Sequence, residues 1–269
     1  MQENRIFFRK INKVQHSVTK IKKSIRNILL VSVAAIALNG CASNRTTMPT
    51  PDYSGLSATQ AQANLSQLSA RYKANPRDKT TIIHFSAALR ASGQASQAVA
   101  VLQNAINIYK NDANIKVAYA KALTTNGNFN QALTIIDQTI QPDRPDWNAL
   151  SVKGAILDQM GKNQAARQLY SQALSINPNS ASLHANLGLS YAMTNDLKNA
   201  EQHLRKATSM RGASSTIRQN LALILGLQGR FDEARAIYSQ MLSAEHVKSN
   251  MAYIRALLTQ QNRWNVIPD

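Results

Sequence analysis

A strict 34-residue period constrains this chain of 269 residues more than any other feature. Alanine recurs at Ala98, Ala132, Ala166, Ala200 and Ala234. Seven residues further on stand Ala105, Thr139, Ala173, Ala207 and Met241, and between the two columns come Leu102, Ile136, Tyr170, Leu204 and Tyr238. Five residues before each alanine stand Gly93, Gly127, Gly161, Asn195 and Gly229. The register runs through five units without insertion, 79–112, 113–146, 147–180, 181–214 and 215–248. A unit this short cannot bury its own apolar face, so successive units must stack and share one core.

The spacing within a unit predicts two helices. The glycine column sits where a helix ends in a left-handed residue, and asparagine is the side chain that best replaces glycine there. The alanines let two backbones approach, and the large residue between them fills the adjoining space. Each first helix repeats its own apolar positions, Phe85, Tyr119, Lys153, Leu187 and Leu221, then Leu89, Leu123, Leu157, Tyr191 and Leu225. Lys153 interrupts the first column, although its aliphatic stem can cover apolar surface. Small residues adjoin that column at Ser86, Ala120, Gly154, Gly188 and Ala222.

This pattern resembles the tetratricopeptide repeat. The fullest matches are Gly154, Leu157, Gly161, Ala166, Tyr170, Ala173 and Pro178 in the third unit, and Leu187, Gly188, Tyr191, Ala200 and Ala207 in the fourth. Trp147 lies three residues early, and the late proline is replaced by Lys110, Arg144, Gly212 and His246 in the other units. The resemblance implies an all-α, right-handed solenoid of five helix pairs between capping helices, with the first helices lining a concave groove. Carried over position by position, the groove would present Arg90, Asn114, Lys121, Asn148, Ser151, Asp158 and Gln159 in the early units. The later units would present Leu189, Met193, Leu223 and Leu227, unless Leu223 and Leu227 instead lie under the C-terminal helix. The groove is therefore expected to be polar and partly basic at one end and apolar at the other, suited to an amphipathic helix or extended peptide.

The flanks read as caps and an address. Ser57-Ala58-Thr59-Gln60 opens a capping box, and Leu65, Leu68 and Tyr72 follow at helical spacing, so residues 57–75 form an N-terminal capping helix. Val247, Met251, Ile254, Leu257 and Leu258 form a stripe leading into a C-terminal cap and tail over 249–269. Residues 1–40 carry eight Lys or Arg, then an apolar run from Ile28 to Leu38, too short to span a bilayer that needs about 20 residues. Leu38-Asn39-Gly40-Cys41 resembles the lipobox of bacterial lipoproteins, although Asn39 is uncommon at its place. That resemblance implies cleavage between Gly40 and Cys41, acylation of Cys41, and residence at the outer membrane facing the periplasm, because Ala42 follows the cysteine rather than an aspartate. An uncleaved inner-membrane anchor is the alternative. Residues 41–56, with Asn, Thr, Pro and Ser, read as a flexible tether.

Composition then narrows the function. Cys41 is the sole cysteine, which excludes an internal disulfide and a cysteine-rich metal site. The net charge of +17 shrinks once the basic leader is set aside, since residues 41–269 hold 23 basic and 13 acidic side chains without a dense cluster. A nucleic-acid partner is not indicated. His84, His184, His203 and His246 have no partner at the spacing that puts two ligands on one helix face, so no metal or cofactor is expected. No Gly-x-Ser-x-Gly elbow or phosphate loop occurs, and the chain reads as a non-enzyme. Asp232-Glu233 opens a second helix, where negative charge complements the helix dipole. The arrangement resembles the TadD-type lipoproteins of tight-adherence (Flp) pilus assembly, with the PilF-type pilotins and NlpI-like adaptors of peptidoglycan hydrolases as further resemblances. The implied partner is a pilus or secretin component.

Overall fold

A computed structural model describes residues 58–265, with side chains placed for 59–259. The expected signal segment 1–40, the acylation site Cys41 and the tether 41–56 lie outside the described residues. Twelve helices follow one another, and no strand occurs among the described residues: α1 (Ala58–Ala74), α2 (Lys79–Ala91), α3 (Ala95–Ile108), α4 (Ala113–Thr125), α5 (Phe129–Asp137) and α6 (Trp147–Gln159), then α7 (Asn163–Ile176), α8 (Ala181–Ala192), α9 (Leu197–Thr208), α10 (Ser215–Leu227), α11 (Phe231–Ser239) and α12 (Ala244–Asn265). None of these helices is long and apolar enough to cross a membrane.

Each repeat unit starts on a side-chain cap. Asp78, Asp112, Asp146, Ser180 and Ser214 stand 34 residues apart, and each accepts a hydrogen bond from the backbone N–H three residues on. The carboxylate caps are the closer ones, 2.9 Å from Thr81 N, 3.1 Å from Ile115 N and 3.0 Å from Ala149 N. Such a cap satisfies one of the four N–H groups that a helix start leaves unpaired. Asp112 also receives Lys79 Nζ at 2.8 Å, tying the start of one unit to the start of the next.

Within a unit the turn is made by the expected column. Gly93, Gly127, Gly161 and Gly229 take φ between 75° and 84°, and Asn195 takes φ 62° in the same role. The alanine column is fully buried at all five positions, as are Leu102, Ile136 and Leu204, with Tyr170 and Tyr238 nearly so. Close approach is enforced at Gly154 and Gly188. A Cβ on Gly154 would lie 2.7 Å from the Tyr170 ring, and one on Gly188 would lie 3.0 Å from both the Ala200 carbonyl oxygen and Leu204 Cγ. Burying each such Leu or Ile stabilises the stack by about 1.5–3 kcal/mol relative to exposure.

The second helices α5 and α11 are shorter than α3, α7 and α9, stopping at Asp137 and Ser239. One departure from the sequence reading has a local cause. The last helix starts at Ala244 rather than after 248, because Ser243 Oγ accepts from His246 N at 3.4 Å and begins a new helix within the fifth unit. Lys153, the break in the apolar column, is half-buried and holds the more exposed Asp137 at 2.8 Å.

The packing defines two layers. Each first helix touches the next first helix, α2 on α4, α4 on α6, α6 on α8 and α8 on α10, whereas each second helix packs between the first helices of its own and the following unit. First helices so crowded together put the inner curve of the array on their side. The C-terminal helix α12 closes the far end against α10 and α11 through Val247, Met251 and Ile254, all buried.

Candidate partner-binding face

Seven of the side chains expected in the groove are half-buried on the first-helix layer: Arg90, Asn114, Asn148, Gln159, Met193, Leu223 and Leu227. The other four are buried, and three of these belong to the interior. Leu189 is only 3% exposed and is a core residue, since α8 is hemmed in by α6, α7, α9 and α10. Ser151 is buried and its hydroxyl accepts from Asn186 Nδ2 at 3.1 Å, joining the third unit to the fourth. Asp158, 4% exposed, is engaged by three donors: Ser190 Oγ at 2.7 Å, Asn163 Nδ2 at 2.8 Å and Tyr170 OH at 2.9 Å. Leu223 and Leu227 pack against the apolar cluster that includes Val247, Met251 and Ile254, in keeping with the C-terminal helix lying over them.

The fourth buried residue, Lys121, makes the basic end of the face. It is 7% exposed, and its amine is pushed down to about 7, first by burial and then by the Arg90 guanidinium, against the opposite pull of Asp146. Burial also brings Arg90 down to about 10. The Lys121 amine is therefore only about half charged near pH 7, Arg90 carries the steady positive charge at this end, and an anionic group set against the pair would draw the proton back onto Lys121.

At Asp158 the effects compete. Burial pushes the carboxyl up to about 6, while Ser190, Asn163 and Tyr170 pull it down by donating hydrogen bonds, and burial dominates. The Tyr170 phenol is driven well above its ordinary range by burial and by that same carboxylate. These groups join α6, α7 and α8, so they serve the joint between the third and fourth units. The other charge cluster, Glu201 with Arg205 at 2.7 Å and Arg230 at 2.6 Å, lies at the surface, where such pairs add little stability.

Sequence reasoning missed two polar features. Asn220 repeats Asn186 one unit later, but Ala185 stands where Ser151 supplies a hydroxyl, so the buried Nδ2 of Asn220 has no partner. His184 of α8 and His203 of α9 face each other with Nδ1 atoms 3.4 Å apart, a meeting that no single-helix spacing rule detects. Both imidazoles are lowered from their ordinary range, chiefly by burial and also by Lys206.

Sequence profiles of the tetratricopeptide repeat match residues 89–156, 154–195, 181–213 and 215–244, and so follow the array almost without a gap. The chain belongs to the tetratricopeptide-repeat family. A stretch of 104 residues is 35% identical to protein y4yS of Sinorhizobium fredii, itself uncharacterized, covering 39% of this chain and 57% of that protein. The chain thus matches little more than half the length of that relative. Among solved structures it is similar to TTC0263, a thermophilic tetratricopeptide-repeat protein of Thermus thermophilus, with a TM-score of 0.58 at 22% identity over 65% of this chain and 97% of that one. It is also similar to human IFIT1, solved as a dimer with m7Gppp-AAAA, with a TM-score of 0.58 at 15% identity over 74% and 50% of the two chains. At such identities the likeness shows the helix-pair solenoid alone.

Proposed function

We propose that this tetratricopeptide-repeat protein is a non-enzymatic scaffold, held at the outer membrane by acylated Cys41, that captures a protein component during assembly of a tight-adherence (Flp) pilus or its secretin. The observation that carries the reading is the continuous first-helix layer, which runs through five units with half-buried polar and apolar side chains along it. Arg90 and Lys121 suit it to an acidic stretch of the partner at one end, and Met193 to an apolar one further along. Anchoring is half of the role, because a scaffold acts by where it is held. Two or more acyl chains bind a membrane far more firmly than one.

Affinity capture from solubilised envelopes tests the reading. Recovery of a secretin or pilus subunit, and loss of surface pili on deletion of the gene, are expected. Recovery of peptidoglycan hydrolases with pili intact would replace pilus assembly by cell-wall regulation. A Cys41→Ala chain is expected to fold and bind but to leave the outer membrane; outer-membrane attachment of that variant would overturn the anchor.

A further inference from the structure

We propose that His184 and His203 form a two-nitrogen clamp for a single Cu(I) ion between α8 and α9. The geometry is specific. The two Nδ1 atoms are 3.4 Å apart and the ring centres 5.7 Å. The difference, about 2.3 Å, is two imidazole centre-to-nitrogen radii, so both nitrogens lie on the line joining the ring centres. With ring planes only 20° apart, the imidazoles are edge to edge and close to coplanar, and their Nδ1 lone-pair directions meet head-on between them.

His184 is 4% exposed, His203 is half-buried, and the Pro178 carbonyl acts on the His184 ring. With a proton on one Nδ1 the two rings share a hydrogen bond of 3.4 Å, longer than the roughly 2.7–3.2 Å of an ordinary N–H bond, and a cation between the nitrogens would take the place of that proton. A backbone carbonyl acting on a ligand imidazole is the usual support around a bound metal.

The surroundings select the ion. Among the described residues no three His, Cys, Asp or Glu side chains converge, so the clamp supplies neither a four-coordinate zinc site nor an octahedral one. Two collinear nitrogens suit two-coordinate Cu(I). Lys206, whose charge acts on both rings, disfavours a divalent ion more than a monovalent one. Metal–imidazole bonds of about 2 Å require the nitrogens to part by roughly half an ångström, which the half-exposed His203 ring can supply. Tyr191 lies parallel to His203, 5.6 Å between centres and 7° between planes, with the Arg167 guanidinium on Tyr191 at 4.8 Å, and so helps fix the plane in which the ring moves.

The probe is Cu(I) alone, titrated anaerobically against a chromogenic chelator into the full chain carrying Cys41→Ala, so that the thiol takes no part. One ion per chain is expected, with X-ray absorption showing two nitrogen neighbours. His203→Gln, at a half-exposed position, is expected to keep the helical circular dichroism and to weaken binding by at least about tenfold. Zn(II) is expected not to saturate. No stoichiometric Cu(I) binding, undiminished binding in a folded His203→Gln chain, or sulfur neighbours in the spectrum would overturn the proposal.

Discussion

Replacing Asp158 by Asn isolates the one carboxyl that the fold holds in the joint between the third and fourth units. Folding raises this group from 3.8 to about 6, with burial outweighing the three hydrogen bonds from Ser190, Asn163 and Tyr170. The neutral form is therefore the one the folded chain prefers. Its contribution is present in full below pH 3.8 and is lost as pH rises through 6. At 1.36 kcal/mol per unit the loss amounts to about 3 kcal/mol by pH 7. Asparagine cannot ionise and carries a constant offset from altered hydrogen bonding, so the difference between the two chains removes everything except the titration. Urea unfolding followed by circular dichroism at pH 4, 5, 6 and 7 measures it. The stability of Asp158→Asn relative to the parent should climb by about 2.4 kcal/mol across that range, the remainder of the loss falling below pH 4. A flat difference would show that the carboxyl is not shifted. A difference of opposite slope would show that the three donors hold the charged form, reversing the order of effects.

Other substitutions test the packing. Gly188→Ala drives a Cβ to 3.0 Å from the Ala200 carbonyl and Leu204, and should cost about 1–3 kcal/mol in a urea midpoint; a loss below 0.5 kcal/mol, roughly the scatter of surface changes, would mean that α8 and α9 can part easily. Asp112→Ala removes both the cap of α4 and the partner of Lys79, and should lower stability by about 1–2 kcal/mol. Asn195→Ala puts a residue without Asn's local hydrogen bonding at φ 62°, and should cost about 1 kcal/mol, whereas Asn195→Gly should be neutral or stabilising.

Much of the fold was legible because repetition amplifies weak signals. One glycine before a helix says little, but five left-handed positions in register, with Asn195 as the substitute that sterics allow, define every inner turn. The capping column went unread because it changes from Asp78, Asp112 and Asp146 to Ser180 and Ser214, so no one residue recurs although one physical role does. The face was less legible than the fold. Position within a unit places Leu189, Ser151 and Asp158 toward the groove, but their accessibility depends on neighbouring units that a single unit's pattern does not contain: Asn186 of the next unit takes the Ser151 hydroxyl, and Ser190 of the next unit takes one oxygen of the Asp158 carboxylate. The His184–His203 meeting, 19 residues apart on two helices, depends on tertiary packing in the same way.

The central claim is that the first-helix layer is where a protein is held. A photo-crosslinking residue placed in living cells at 159 or 193 on that layer, and at the exposed positions 103 or 239 on second helices, tests it most directly. Adducts with one pilus or secretin component from 159 and 193, and none from 103 or 239, are predicted. Adducts formed equally from both layers, or only from the second helices, would contradict it.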